Sequence, residues 1–158
     1  MKNALITGAN KGIGFETARQ LLQNGYYVYL GSRKLENGQA AVDRLKVDGL
    51  THVEAIQLDV TEMVSINAAR EYIGCKTGVL DVLINNAGIN GGWPQSSLEA
   101  SITQFKTVFD TNLYGVVRVT QAFIDMLKAS SEPRIYIVTP PGNIMTIRQL
   151  FIHLPKLL

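Results

Sequence analysis

The residues best suited to chemistry in this chain are Thr7-Gly8-Ala9-Asn10-Lys11-Gly12-Ile13-Gly14. A short apolar run, Ala4-Leu5-Ile6, precedes them, and a helical pattern with Ile13, Ala18, Leu21 and Leu22 on one side follows. The sequence therefore reads as strand, glycine turn, helix. Glycines allow a tight turn and a close approach to a ligand, because no Cβ intervenes. The new helix points its unpaired N–H groups and the positive end of its dipole at whatever lies over the turn, and an anionic pyrophosphate suits that position. The pattern is T-G-x-x-x-G-x-G and not the usual G-x-G-x-x-G, since Thr17 stands where the third glycine would fall. A glycine-rich loop without a ligand is the alternative.

Composition narrows the classes. The 158 residues suffice for one domain with a core, and 46% apolar with 18% charged residues is ordinary for a globular chain. A net charge of +2 without a basic run argues against nucleic-acid binding. No apolar run approaches a membrane span, and Met1 leads straight into the first strand, which leaves no room for a signal peptide. Cys75 is the only cysteine, so no internal disulfide forms, and with His52 and His153 it gives no metal-ligand spacing. A reducing, cytoplasmic setting is expected.

Alternating strands and helices must position the glycine turn. Tyr26–Leu30 reads as strand two, closed by Gly31-Ser32-Arg33-Lys34, and residues 35–47 read as a helix ended by Asp48-Gly49. Strand three is Val53–Leu58, and Thr61-Glu62 opens a helix running to about Tyr72. Strand four is Val79–Ile84, followed by Asn85-Asn86-Ala87-Gly88 and a glycine-rich loop, Ile89–Pro94. A long helical region, Leu98–Lys128 with a possible break, carries an apolar stripe that includes Phe105, Phe109, Val116, Phe123 and Leu127. Ile135–Val138 is strand five. This order predicts an α/β fold of Rossmann type: a doubly wound parallel sheet, ending after about five strands. Right-handed crossovers place ligands at the carboxyl ends of the strands, where the glycine turn, Ser32-Arg33, Asp59-Val60, Asn85–Gly88 and Thr139 fall.

With these stretches in order, the chain resembles the short-chain dehydrogenase/reductase family. Thr7–Gly14 is similar to its cofactor turn, and Leu58-Asp59-Val60 to its adenine-side loop. Asn85-Asn86-Ala87-Gly88 matches its N-N-A-G signature, and Asn112 within Thr111–Gly115 its helix asparagine. Coverage runs from residue 2 to about 139, so residues 1–139 are read as an NADP(H)-binding Rossmann domain and 140–158 as a divergent tail. The Asn10-Lys11 variant and the Tyr-Leu-Gly-Ser-Arg end of strand two look most like carbonyl reductases. The resemblance implies an oxidoreductase that transfers hydride to a small carbonyl compound, or from an alcohol. It assigns cofactor binding to Gly8, Asn10, Lys11, Gly12, Ile13, Gly14, Arg33, Lys34, Asp59, Val60, Asn86, Ala87 and Gly88, and a catalytic place to Asn112.

The end of strand two speaks to the cofactor. An acid there would accept hydrogen bonds from the adenosine ribose and repel a 2′-phosphate. Ser32, Arg33 and Lys34 stand there instead, the nearest acid is Glu36, and Lys11 adds a cation in the turn. Arg33 offers a fork of donors to a phosphate and Lys11 a point charge, which favours NADP(H) over NAD(H). Solvated surface charges are the alternative. Asp59 would accept from the adenine amino group, as the resemblance implies, or would cap the helix begun at Thr61-Glu62.

The catalytic pattern departs from the family after strand five. Family members use a serine, a tyrosine and a lysine four residues on, because an unperturbed tyrosine pKa near ~10 is too high for neutral acid–base work. Here Thr139 can stand for the first of a Ser-Ser pair, but Pro140 falls at the second and no tyrosine follows. Tyr72-Ile73-Gly74-Cys75-Lys76 has the tyrosine–lysine spacing at the wrong place in the fold, and Tyr72 is read as a packing residue. His153, Asp125 and Ser130 form no triad. Codons for Tyr-Ile-Val-Thr can encode Ile-Ser-Ser in a neighbouring frame, so a shifted or alternatively terminated form of a longer reductase is expected. An uncovered sheet edge and a bare face on helix 98–128 would follow, and both invite homo-oligomers unless the apolar tail covers them.

Overall fold

A computed structural model describes residues 1–94, 96 and 98–139. The expectations placed on Pro140 and on the tail fall outside these residues. The elements are β1 Asn3–Ile6, α1 Gly12–Gln23, β2 Tyr27–Ser32, α2 Leu35–Val47, β3 Val53–Gln57 and α3 Met63–Gly74, then β4 Val82–Asn85, α4 Ile102–Phe109, a π-helix Asp110–Tyr114, α5 Gly115–Lys128 and β5 Arg134–Ile137. All pairings are parallel, in the order β3-β2-β1-β4-β5. The chain winds outward from β1 through β2 to β3, then returns to place β4 on the other side of β1. The switch point therefore lies between β1 and β4, the position at which open parallel sheets bind ligands.

Both faces of the sheet are covered, which is why its central strands read as continuous apolar runs. Side chains alternate across each strand. Ala4 and Ile6 of β1 pack with Phe15, Ala18 and Leu22 of α1 and Val42 and Leu45 of α2. Leu5, between them, joins Ile66 and Ile73 of α3 and Val119, Phe123 and Leu127 of α5 on the opposite face. Ile13 does not join the α1 stripe: it is 60% exposed, because at 3.6 residues per turn it lies on roughly the opposite side of the helix from the buried Ala18 and Leu22.

Several boundaries differ from the sequence expectation, and four of them have a clear local reason. β2 starts at Tyr27, since the Tyr26 N–H closes the end of α1 by donating to the Leu21 carbonyl. It then continues through Gly31 and Ser32, which pair with Ile56 and Gln57. A Cβ on Gly31 would lie 2.9 Å from the Ile6 carbonyl oxygen, so glycine here permits close backbone packing and does not end the strand. β4 starts at Val82 and not Val79. Leu80 N–H donates to Met126 O, and the Asp81 carboxylate accepts from Asn3 N–H and Ser130 Oγ, both at 2.7 Å. The long helix begins at Ile102, where Ser101 and Gln104 form a reciprocal capping box, and its break is the π-helix.

Tyr29 supplies a prediction for the fold. Its ring is 2% exposed, and burial, reinforced by the nearby Glu54 and Tyr27, pushes its pKa up to about 12. The folded state thus holds the phenol neutral where the unfolded chain, with a pKa near ~10, ionises. The contribution is complete below the unfolded value and is lost as pH rises from there through the folded one. Thermal melts are expected to fall on the order of 2 kcal/mol in stability across that window, and Tyr29→Phe should flatten this part of the profile.

Candidate nucleotide-binding cleft

The glycine turn is built to be open. Gly8 and Gly12 have φ values of 63° and 60°, in the left-handed region where a Cβ is unfavourable. A Cβ on Gly8 would sit 2.9 Å from the Ala87 Cα, so β1's turn and the loop after β4 touch backbone to backbone. Lys11 occupies the N-cap position of α1 with no side-chain cap hydrogen bond, and no acidic residue stands in the first turn. The N–H groups at the start of α1 thus have no capping side chain, which suits an external anion.

Neighbouring loops are tied to this turn. Thr7 is buried, and its Oγ1 accepts the N–H groups of Asn86 at 3.0 Å and Ala87 at 2.9 Å. The Asn86 side chain returns the contact, donating from Nδ2 to the carbonyls of Thr7 and Gly8, both at 3.0 Å. On the other side Asp59 Oδ1 accepts from the Thr61 N–H at 2.9 Å and from Thr61 Oγ1 at 2.7 Å. The α3 N-cap is Glu62 and not Asp59, so Asp59 shapes the turn that leads into the helix. Both of those bonds fall on one carboxylate oxygen.

These loops enclose a cleft of about 710 Å³ over the switch point. Of the residues singled out from the sequence, Gly8, Asn10, Lys11, Gly12, Arg33, Lys34, Asp59, Val60, Asn86, Ala87 and Gly88 line it. Ile13, Gly14 and Asn112 do not. Gly14 lies against the Asn86 amide and Ala9, where a Cβ would not fit, so its part is packing. Asn112 stands one layer out. Its Oδ1 accepts the Ile89 N–H at 2.9 Å and its Nδ2 donates to the Ile89 carbonyl at 2.8 Å, so both arms of the amide hold one loop residue. Ser32, Asn37, Thr61, Ile89 and Thr111 also line the cleft. Each neighbours a motif, so chain proximity was the available signal. Arg33 and Lys34 are exposed at the rim, as is Lys11. Thr139 follows β5 at the carboxyl end of the sheet and is half-buried.

The Tyr72–Lys76 pair is elsewhere. Tyr72 Oη donates to Glu54 at 3.0 Å and Lys76 Nζ contacts the same carboxylate at 2.5 Å. Tyr27 Oη joins them at 3.2 Å. Hydrogen bonding to Glu54 and to Tyr72 raises the Lys76 pKa, which keeps the ammonium charged, and burial raises that of Tyr27. The cluster pins the end of α3 to the β2–β3 edge. Among the described residues, no group of three or more His, Cys, Asp or Glu side chains could hold a metal, and no helix is long and apolar enough to cross a membrane.

Comparison with known proteins agrees with this geometry. A (+)-neomenthol dehydrogenase from Capsicum annuum is 37% identical over 169 residues, covering 84% of this chain and 54% of that protein. The menthone neomenthol reductase of Mentha piperita superposes with a TM-score of 0.81 at 33% identity, over 89% of this chain and 60% of that one. An alcohol dehydrogenase from the archaeon Thermococcus sibiricus, solved with 5-hydroxy-NADP, gives a TM-score of 0.73 at 34% identity, over 81% and 54% of the two chains. The chain spans about half the length of the curated relatives it matches. The family model described as short chain dehydrogenase matches residues 2–143, which contain every residue of the cleft, and the chain belongs to that family of oxidoreductases.

Proposed function

We propose that the cleft binds NADP(H) and that the chain serves the reduction of a small carbonyl compound, or the reverse oxidation of its alcohol. One observation carries the choice of cofactor: β2 ends at Ser32 and is followed by Arg33-Lys34, with no carboxylate, and Arg33, Lys34 and Lys11 all line the same cleft. Bound nicotinamide would supply the hydride. The chain's own residues would hold the remainder of the cofactor. The start of α1 faces the pyrophosphate, Arg33 and Lys11 the 2′-phosphate, and Asp59 the adenine amino group. The backbone of Asn86–Gly88 admits the ribose. A cytoplasmic location and self-association through helix 98–128 belong to the same proposal. Ile102, Tyr114 and Val117 of that helix are 70%, 52% and 45% exposed.

Arg33→Ala tests the cofactor choice. It should weaken NADPH binding by roughly 10- to 100-fold, the scale of one or two charge-assisted hydrogen bonds, and leave NADH binding unchanged. Equal weakening of both nucleotides would overturn the assignment.

A second reading is nucleotide binding without turnover. It is favoured by the engagement of Tyr72 and Lys76 with Glu54, which keeps that tyrosine–lysine pair out of the residues that line the cleft. Loss of a general acid costs roughly 10²–10⁴-fold in rate. NADPH oxidation with a panel of aldehydes and ketones separates the two readings.

A further inference from the structure

We propose that Arg118 is a positioning residue that clamps the π-helix and thereby holds Asn112 and the Ile89 loop at the cleft. A π turn is wider than an α turn, is rare, and needs local support. This one interrupts a helical run from Ile102 to Lys128. Because it adds a residue to the turn, the side chains after it fall out of phase with those before it. Before it and into it, one stripe faces the loop after β4. Gln104 Nε2 donates to the carbonyls of Gly91 and Pro94, both at 3.3 Å, Val108 lies against Gly91, and Asn112 holds Ile89. After it, a different stripe faces the sheet: Val119, Phe123 and Met126 are buried in the core. Gly115, at the join, packs on Val60 of the cleft, where a Cβ would come within 2.8 Å of Val60 Cγ2. The π turn thus lets one helix serve the loop, the Val60 turn and the core at once.

Arg118 spans this turn. Its Nη2 donates to Asp110 Oδ1 at 2.6 Å and its Nη1 to the Asp110 carbonyl oxygen at 3.3 Å. That carbonyl also accepts the Gly115 N–H, the wide i,i+5 bond that defines the π turn. Helical side chains lean toward the N-terminus, so a long arginine at 118 reaches back where the reverse arrangement would not. The two residues are eight apart, beyond the three or four at which side chains on a regular helix meet. Their side chains are 28% and 41% exposed, so the pair is partly shielded from solvent. Asp110 and Thr111 lie within the clamped turn, and Thr111 lines the cleft.

This inference rests on the proposed cofactor site only for its effect on affinity; the clamp itself is read independently. The test is amide hydrogen exchange on the whole chain, comparing wild type, Arg118→Met and Arg118→Lys. The reporter is the Ile89 N–H, which donates to Asn112, with the β1 and β2 amides as controls for the fold. Arg118→Met is expected to speed exchange at Ile89 by roughly tenfold or more with sheet amides unchanged, and Arg118→Lys to restore part of the protection. NADPH affinity should weaken several-fold in step. Unchanged Ile89 exchange, or an increase that only parallels the sheet, would overturn the clamp. If wild type binds no nucleotide yet Arg118→Met still frees Ile89, the clamp stands and the cofactor assignment falls.

Discussion

Gly8→Val is expected to abolish nucleotide binding and to destabilise the fold by about 3–5 kcal/mol. Two costs combine. Gly8 has φ 63°, and a β-branched side chain is strained in that region. A Cβ there would also meet the Ala87 Cα at 2.9 Å and the Ala87 nitrogen at 3.3 Å, which are backbone atoms fixed by the Thr7 and Asn86 hydrogen bonds. Relief requires the β1 turn and the loop after β4 to separate, which opens the cleft floor. A melting curve and an NADPH titration of the same preparation check both parts. Gly25→Val is the control. Gly25 shares a positive φ of 79°, but no atom lies within 4 Å of a Cβ added there. It should lose stability from strain alone and keep its affinity.

Asn86→Ala has the second-largest expected effect, a loss of about 2–4 kcal/mol together with more than tenfold weaker nucleotide binding. Truncation removes the donor that serves the Thr7 and Gly8 carbonyls, and it leaves space beside Gly14, whose missing Cβ makes room for this amide. Asn86→Asp separates hydrogen bonding from shape. It keeps the volume, lacks the two N–H donors, and sets a carboxylate against two carbonyl oxygens, so it should be at least as destabilising as alanine. Differential scanning calorimetry of the three proteins reads this order. If the aspartate variant were as stable as wild type, shape and not donation would hold the loops together.

These two residues also mark what could be read from the chain. Gly8 and Asn86 stand out because only certain residue types satisfy a positive φ or donate to two adjacent carbonyls, and such demands leave short, recognisable motifs. The sheet was legible for a related reason. Strands covered on both faces, such as Ala4-Leu5-Ile6, leave uninterrupted apolar runs. Partners set by tertiary contact left weaker traces. Strand four starts three residues later than its apolar run because Asp81 spends its carboxylate on Asn3 and Ser130, residues remote in sequence. Ile13 is apolar yet exposed, because at 3.6 residues per turn it lies on roughly the opposite side of α1 from Ala18 and Leu22, so an apolar residue near a stripe in sequence need not belong to it. Asn112 could be matched to a motif, but its grip on both backbone groups of Ile89 depends on a π turn that helical periodicity does not encode. The Tyr72–Lys76 spacing shows the converse. A matching pattern in the wrong part of the fold meets at Glu54, and Tyr72, 46% exposed, makes a surface hydrogen bond there and does not pack into the core.

The cofactor assignment is the central claim, and fluorescence titration of the purified chain with NADPH and NADH side by side tests it most directly. Sedimentation run in parallel shows that the sample is not aggregated. Saturable binding of NADPH, at least tenfold tighter than NADH and weakened by added salt as expected for phosphate held by Arg33 and Lys11, is the result this account requires. A folded, unaggregated chain that prefers NADH, or binds neither nucleotide, would contradict it.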